Sequence, residues 1–243
     1  MISIEELTAT QAYQFHGDVN LYNSCETQEL ATQGAGDRQF HLLGSPQNNA
    51  LPILLSEDDY SCWLSLDDLD KIDLALAPYQ PRPVSRAEIE KRSDRIIAYT
   101  QDAMNQPNHY LWGGTVPPNY DCSGLMQAAF ASVGIWIPRD SYQQHNFTQP
   151  IAIQEAQPGD LLFFSSGKPI THVALYLGNN HYIHSSGKDR GRNGIGIDTL
   201  ASESDPISQY YAQIFCGAGR IVAGYISTGN PEAQFECPIS VNS

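Results

Sequence analysis

Three prolines within six residues, 78–83, divide this chain of 243 residues into two parts with different patterns. Proline fixes φ and cannot donate a backbone hydrogen bond, so such a run disfavours both helix and central strand. We therefore predict a stiff linker over residues 78–84. The remaining chain is predicted to form a small domain over residues 1–77, a larger domain over 85–229 and a tail over 230–243.

Short apolar runs alternate with turn-forming residues in the first part of the chain. The predicted strands are Val19–Tyr22, Leu30–Thr32, Gln39–Leu43, Leu51–Leu55 and Tyr60–Leu64. Strands at intervals of about 8–12 residues are typical of a small all-β barrel.

The second part mixes helical and strand patterns. Ser85 and Glu88 have the spacing of a capping box, and apolar residues behind them predict one helix over 86–104. Strands are predicted at Leu161–Phe164, Thr171–Leu177, His181–His184, Ile195–Ile197 and Gly217–Val222. This order predicts an α+β domain with helices packed on an antiparallel sheet.

Cys122 stands at the start of a predicted helix that runs to Val133, with Asp121 as its N-cap. The positive end of the helix dipole favours thiolate over thiol, and thiolate is the nucleophilic form. A lone buried cysteine is also a common packing residue, so its position alone does not define a site.

Two histidines near a predicted hairpin supply the second part of a candidate site. A three-residue loop at Leu177–Asn179 would pair His172 with His184 and place both imidazoles on one face, about 5 Å apart. An even loop would put them on opposite faces unless a bulge restored the register. On one face, one ring can exchange a proton with Cys122 while the other orients it.

Metal and cofactor sites have little support in the sequence. One Cys and two His could bind zinc, but HxxxH and CxxC spacings are absent and no acid near the histidines is evident. No cofactor or metal is therefore predicted. The net charge of −14 argues against nucleic acid and anionic membranes as partners.

The cysteines and the first residues bear on the compartment. Five scattered cysteines predict neither a disulfide framework nor a zinc knuckle, so Cys25, Cys62, Cys216 and Cys237 are assigned to packing or surface. The chain starts with acidic residues rather than a basic and apolar leader. We therefore expect a cytoplasmic protein.

Five motifs, in this order along the chain, resemble those of the NlpC/P60 cysteine peptidases. They are Tyr110-x-Trp-Gly-Gly114, Asp121-Cys-Ser-Gly-Leu125, Pro158-Gly-Asp-Leu161, His172-Val-Ala-Leu-Tyr-Leu-Gly178 and Tyr182-Ile-His184. The match covers about residues 86–225, and the preceding domain resembles a bacterial SH3 (SH3b) domain. This pairing looks most like the γ-D-glutamyl-L-diamino acid endopeptidases, which recycle cell-wall peptides.

The resemblance implies a papain-like fold with Cys122 as nucleophile, His172 as general base and then acid, and His184 as the orienting residue. The Cys122 N–H and the Tyr110 hydroxyl would stabilise the oxyanion. The bond cut would join the γ-carboxyl of D-Glu to the α-amine of diaminopimelate or Lys.

The resemblance also implies that the site binds the free amine of an N-terminal L-Ala. Asp121 would be its carboxylate partner, helped by Glu57 and Tyr60 of the SH3b domain, while Ser123 and Ser141 would contact the peptide backbone. Asp121 and Ser141 also fit as helix caps, and Asp58 and Asp59 compete with Glu57. Such a site would accept short free peptides and exclude stems attached to glycan.

Two alternatives stay open. A related Cys-His hydrolase could cut the muramoyl–L-Ala bond, and a domain with an inactive triad could bind wall peptides without cutting them. The preference for diaminopimelate or Lys, the peptide length and the oligomeric state do not follow from the sequence.

Overall fold

The computed structural model describes residues 3–167, 169–201 and 205–230. It divides into two compact units. One is the chain up to Pro81 together with the segment that begins at Ile226, and the other is Arg82–Tyr225. Most of the predicted tail, including Cys237, lies outside the described residues.

The segment after Ile226 joins the first unit through one carboxylate. Asp59 accepts hydrogen bonds from the Ser227 hydroxyl at 2.6 Å, the Thr228 N–H at 2.7 Å and the Gly229 N–H at 3.1 Å. The predicted boundary at residue 230 therefore differs from the division of the structure, in which the return to the first unit occurs at Ile226.

The first unit is a seven-stranded antiparallel sheet, as expected for an SH3-like domain. Its strands are β1 (Tyr13–Phe15), β2 (Val19–Tyr22), β3 (Leu30–Gly34), β4 (Gln39–Leu42), β5 (Ala50–Leu55), β6 (Ser61–Ser65) and β7 (Ile72–Leu74), in the order β3-β2-β6-β5-β4-β1-β7. Every residue of β5 is buried, which places this strand at the centre of the apolar core. The predicted strands are present, and the three-residue strands β1 and β7 were not predicted.

The cysteines of the first unit differ in state. Cys62 is a buried free thiol, whereas Cys25 is disulfide-bonded. The assignment of Cys25 to packing alone is therefore wrong, although its side chain does pack against Trp63 and Ala50.

Among the described residues, the second unit has five α-helices. They are α1 (Arg86–Glu90), α2 (Ser93–Met104), α3 (Cys122–Ala131), α4 (Ser141–Phe147) and α5 (Pro206–Gln213). The prediction of one helix over 86–104 is wrong, because the chain turns at Lys91 and Arg92. Arg92 is held there by a 3.0 Å hydrogen bond from its guanidinium to the Val133 carbonyl. No helix among the described residues is long and apolar enough to cross a membrane.

The sheet of the second unit has six antiparallel strands with a helix-covered core on each face. Its strands are β10 (Gln149–Ile151), β11 (Leu161–Phe164), β12 (His172–Gly178), β13 (His181–Ser186), β14 (Gly194–Thr199) and β15 (Phe215–Arg220), in the order β10-β15-β11-β12-β13-β14; β8 (Thr115–Val116) and β9 (Asn119–Tyr120) form a separate hairpin. One face packs against α2 and α3, and the other packs against α5. This is the predicted α+β arrangement.

Candidate active site

Cys122 is the first residue of α3 and is buried. Asp121 caps the helix by accepting the Gly124 N–H at 2.6 Å. Gly124 is required here, because a Cβ at this position would collide with the Gly114 carbonyl. The loop before the helix is held in turn by the Asp121 N–H, which donates to the same carbonyl at 3.1 Å.

The predicted thiolate is not the resting form of Cys122. Burial and the nearby Asp121 carboxylate raise the pKa of the thiol to about 12, and the N–H groups of Val173 and Ser123 offset only part of this. The desolvation of the sulfur outweighs the helix dipole. Cys122 is therefore a neutral thiol that needs a base.

His172 and His184 lie on one face of the sheet and are hydrogen-bonded to each other. Their ring nitrogens Nε2 and Nδ1 are 2.7 Å apart, and the ring centroids are 4.9 Å apart. The hairpin reaches this register differently from the prediction. Asn179 and Asn180, both with positive φ, form a two-residue turn, and a bulge between Tyr176 and Gly178 restores the face.

Asp198 is a site residue that the sequence reasoning missed. Its Oδ2 lies 2.6 Å from His184 Nε2, and both side chains are fully buried. Arg192 donates to the other carboxylate oxygen. An acid therefore does lie beside the histidines, although none is evident from the sequence. The only sequence signal was the position of Asp198 directly after the predicted strand Ile195–Ile197.

The hydrogen bonds fix the tautomers of both imidazoles. The Asp198 carboxylate accepts the proton on His184 Nε2, so His184 Nδ1 is unprotonated and accepts from His172 Nε2. The remaining nitrogen, His172 Nδ1, is then unprotonated and free to act as a base. Burial lowers the pKa of His172 well below 6.5, and His184 and Arg190 lower it further, so the base is neutral at pH 7.

The thiol is placed beside this base by neighbouring contacts. The Val173 N–H, next along the chain from His172, bonds to the Cys122 sulfur. Tyr211 from α5 stacks on the His172 ring at 4.6 Å, and its hydroxyl bonds to Ser186 at 2.8 Å. The negative charge of a Cys122 thiolate raises the pKa of Tyr211, which places the sulfur near this ring. The two imidazoles and Asp198 thus form one hydrogen-bonded array, and the thiol lies against the residue that follows His172.

Two donors are available for an oxyanion. The Cys122 N–H, at the first helical position, has no acceptor among the described residues, as expected at a helix start. The half-buried Tyr110 hydroxyl has no hydrogen-bond partner in the same part of the chain. Burial and the nearby Cys122 and Asp121 raise the pKa of Tyr110, which keeps it a donor.

Asp121 accepts more hydrogen bonds than its role as a helix cap requires. Besides Gly124 it accepts the Gly113 N–H at 2.9 Å and the Ser123 hydroxyl at 3.2 Å, and the buried Arg139 binds both of its oxygens at 2.6 and 3.2 Å. The carboxylate is buried and saturated by these five donors. Its predicted contact with a substrate ammonium would have to displace one of them.

The remaining predicted site residues are placed as follows. Ser123 is buried and its hydroxyl accepts from Arg139 at 2.9 Å, while Ser141 begins α4 behind the N-cap Asp140. Glu57 lies in the first unit, where its carboxylate accepts from Arg38 at 3.2 Å and from the Gln39 N–H at 2.8 Å. Tyr60 follows Glu57 by three positions in the chain. The substrate contacts of these residues stay predictions.

The geometry also bears on the zinc alternative. The bond between His172 and His184 occupies one ring nitrogen of each, and Asp198 occupies the second nitrogen of His184. His184 thus has no nitrogen left for a metal. The described residues contain no group of three or more His, Cys, Asp or Glu arranged for metal binding.

A thiol at a helix start, beside two bonded imidazoles on an antiparallel sheet, is the arrangement of a cysteine peptidase. Residues 107–220 match the NlpC/P60 family, and residues 21–69 match the bacterial dipeptidyl-peptidase Sh3 domain. The chain thus carries an NlpC/P60 domain, preceded by a bacterial SH3 domain.

Several relatives carry endopeptidase names. The chain is 40% identical over 164 residues to the bifunctional muramidase/DL-endopeptidase CwlT of Bacillus subtilis, covering 65% of this chain and 46% of the relative. It is 36% identical over 126 residues to the probable endopeptidase p60 of Listeria seeligeri, covering 52% and 22%. The chain spans less than half the length of each of these two relatives.

A solved structure of an NLP/P60-family protein similar to lipoprotein from Staphylococcus aureus is 30% identical to this chain. The match covers 60% of this chain and 45% of the Staphylococcus aureus chain, with a TM-score of 0.45.

Proposed function

We propose that this protein is a cysteine peptidase that cuts the bond between the γ-carboxyl of D-Glu and a diamino acid in free cell-wall peptides with an N-terminal L-Ala. The observation that carries the catalytic part is the hydrogen-bonded series Asp198, His184 and His172, because it leaves His172 Nδ1 as an unprotonated base. Cys122 contacts Val173, the next residue along the chain.

The residues divide the reaction into two steps. His172 Nδ1 takes the thiol proton as the Cys122 sulfur attacks the γ-carbonyl, and the Cys122 N–H and the Tyr110 hydroxyl stabilise the oxyanion. The imidazolium then protonates the leaving amine, and the C–N bond breaks to leave a thioester. Water, deprotonated by the same nitrogen, hydrolyses the thioester and frees the thiol.

The low pKa of His172 keeps the ring unprotonated before the reaction and favours the second proton transfer, to the leaving amine. A neutral imidazole accepts the proton, and the imidazolium that forms in a buried site is a strong acid towards the amine. The hydrogen bond from His172 Nε2 to His184 stabilises the imidazolium of His172. The Asp198 carboxylate, which is hydrogen-bonded to His184, stabilises the positive charge shared by the two rings.

The substrate part of the proposal is supported by the comparisons. Relatives carry endopeptidase names, and the matched SH3 family is described as that of a bacterial dipeptidyl-peptidase. An enzyme that releases a dipeptide must bind the free amino terminus at a fixed distance from the bond that it cuts. The two predicted features, a carboxylate partner for the amine and a site that excludes stems attached to glycan, provide this.

The test uses L-Ala-γ-D-Glu-meso-diaminopimelate and its N-acetyl derivative, with products identified by mass spectrometry. We expect L-Ala-D-Glu and diaminopimelate from the free peptide, at least about a tenfold lower kcat/KM for the acetylated one, and no turnover by Cys122→Ala. Equal rates on both peptides, or on intact wall, would refute recognition of the free amine.

The same products separate the alternatives. An amidase would release L-Ala peptides from a muropeptide by cutting the muramoyl–L-Ala bond. A binding module would retain the peptide without cutting it and would show the same affinity in the Cys122→Ala variant.

The proposal places the protein in the cytoplasm, where recycled peptides are found. Three free thiols among the described residues fit a reducing compartment, but the disulfide at Cys25 is unusual there. Cell fractionation with an antibody to this chain decides the matter, and recovery from the wall or medium would contradict the placement.

A further inference from the structure

A short basic turn lies beside the catalytic array of an otherwise acidic chain. Lys188, Arg190 and Arg192 supply three of the chain's 13 Lys and Arg residues within five positions, against a net charge of −14. Arg192 is committed to Asp198. Lys188 and Arg190 are exposed, and they form a short 3-10 turn directly after β13.

The Arg190 guanidinium lies over an aromatic ring that is linked to His172 by ring contacts. Its Cζ lies 4.6 Å from the centre of the Tyr210 ring. Tyr210 contacts Tyr211 at 5.2 Å, and Tyr211 stacks on His172 at 4.6 Å. The position of the guanidinium is consistent with its charge being felt at His172.

Arg190 has unused donors. Its Nε lies 3.2 Å from the exposed carboxylate of Asp189, its neighbour in the turn. The two Nη groups have no acceptor in the part of the chain that the structure describes. A guanidinium with its Nη groups free can bind a planar carboxylate through two hydrogen bonds.

The turn itself is fixed. The Arg190 N–H donates to the Gly187 carbonyl at 3.1 Å, and the Gly191 N–H donates to the Lys188 carbonyl at 3.0 Å. Arg192 then ties the end of the turn to Asp198. The guanidinium is thus presented from a fixed backbone rather than from a loose loop.

The side of the substrate that Arg190 would meet follows from the chemistry. His172 protonates the leaving amine, so the leaving diamino acid lies against His172 and on the side of Tyr210 and Arg190. That residue has up to two carboxylates. One is its α-carboxylate when it ends the peptide, and the other is the side-chain carboxylate of diaminopimelate, which Lys lacks.

We propose that Arg190 is a specificity residue that binds a carboxylate of the leaving diamino acid. This inference rests on the proposed function. It assigns a task to the leaving-group side of the site, which the motif residues do not cover.

The experiment measures kcat/KM on four peptides. They are L-Ala-γ-D-Glu-meso-diaminopimelate, its Lys counterpart, and both with the α-carboxyl of the diamino acid amidated. The variants are Arg190→Gln and Arg190→Lys, with Lys188→Gln as the control that removes the same charge from the same turn. Equal thermal unfolding midpoints establish that the exposed substitutions leave the fold unchanged.

We expect Arg190→Gln to lower kcat/KM about tenfold on the peptides that carry the recognised carboxylate, mainly by raising KM. Arg190→Lys should restore part of this kcat/KM, and Lys188→Gln should change it little. A loss confined to the two diaminopimelate peptides identifies the side-chain carboxylate, and a loss confined to the two free acids identifies the α-carboxylate. Either result supports the proposal.

An equal loss on all four peptides, or no loss on any, overturns the role of Arg190. Wild-type protein that cuts none of the four overturns the proposed function itself. The two failures are therefore distinguishable.

Discussion

A buried carboxylate such as that of Asp198 needs hydrogen-bond donors, and the structure supplies them from two side chains. His184 Nε2 lies at 2.6 Å, and Arg192 pairs with the second oxygen. Because the carboxylate can only accept, it sets the tautomer of His184 and, through it, that of His172. Asp198 thus determines, through His184, that His172 Nδ1 is unprotonated.

The first prediction concerns this position. Asp198→Asn can donate to His184 Nε2 and so permits the wrong tautomer of both rings. We expect kcat to fall by about one to two orders of magnitude, since Asp198 acts at one remove from the proton transfer. The acid limb of the pH–kcat profile should also move.

The matched control is Asp205→Asn, which removes a carboxylate that caps α5 in the same region. It should change stability slightly and leave the pH profile unchanged. A profile of Asp198→Asn identical to that of the wild type would contradict the tautomer argument, whatever the change in rate.

At the level of the element, the hairpin of β12 and β13 depends on backbone conformations rather than on side-chain pattern. Gly178 has φ +95° at the bulge, and Asn179 and Asn180 have φ +51° and +63° in the turn. The bulge is what brings two histidines with an even turn between their strands to the same face.

The second prediction tests the bulge. Gly178→Ala places a side chain in a left-handed conformation, so we expect a loss of about 1 kcal/mol in the free energy of unfolding and a lower kcat/KM. Asn180→Gly, which also changes the turn but favours positive φ, should leave both unchanged. Urea titration and peptide hydrolysis provide the two readings, and loss of activity in both variants would contradict the account.

The third prediction concerns the start of α3. Arg139 and Asp121 have side-chain exposures of 1% and 8%, so Arg139→Met leaves a buried carboxylate without its cation. We expect a loss of about 3–5 kcal/mol in stability, also in a Cys122→Ala background. The double variant with Asp121→Asn should recover part of it. Simple additivity of the two changes would show that the pair does not stabilise the helix start.

Sequence patterns reach some of these elements and not others. The apolar runs identified β2 to β6, whereas β1 and β7, with three residues each, are too short to show a period. Asp198 lies 14 residues from His184, and only the pairing of β13 with β14 brings them together. The resting state of Cys122 was mispredicted because the dipole can be inferred from sequence and the depth of burial cannot.

At the level of the whole molecule, buried titratable groups define a pH window. The pKa values of His172 and His184 are lowered from 6.5 by burial, so below about pH 6.5 the unfolded chain binds protons that the folded chain does not. The pKa of Cys122 is raised by burial from 9.0 to about 12, so above about pH 9 the unfolded chain releases a proton first.

The fourth prediction follows from these signs. Stability should be greatest between about pH 6.5 and 9 and should fall on both sides. Urea midpoints across pH 5–10 measure this. Cys122→Ala should reduce the fall on the alkaline side, to which the buried Cys62 also contributes because its pKa is raised. His184→Gln should reduce the fall on the acid side, to which His172 also contributes. A maximum near pH 5 would contradict the burial of neutral histidines.

The central claim is that Cys122, deprotonated by His172, attacks the γ-carbonyl of the peptide. Acid quenching during turnover, followed by digestion and mass spectrometry, tests this most directly. We predict an L-Ala-D-Glu acyl group on the fragment containing Cys122, removable by hydroxylamine and absent in His172→Gln. Formation of products without any acyl group on Cys122, or with one on another residue, would contradict it.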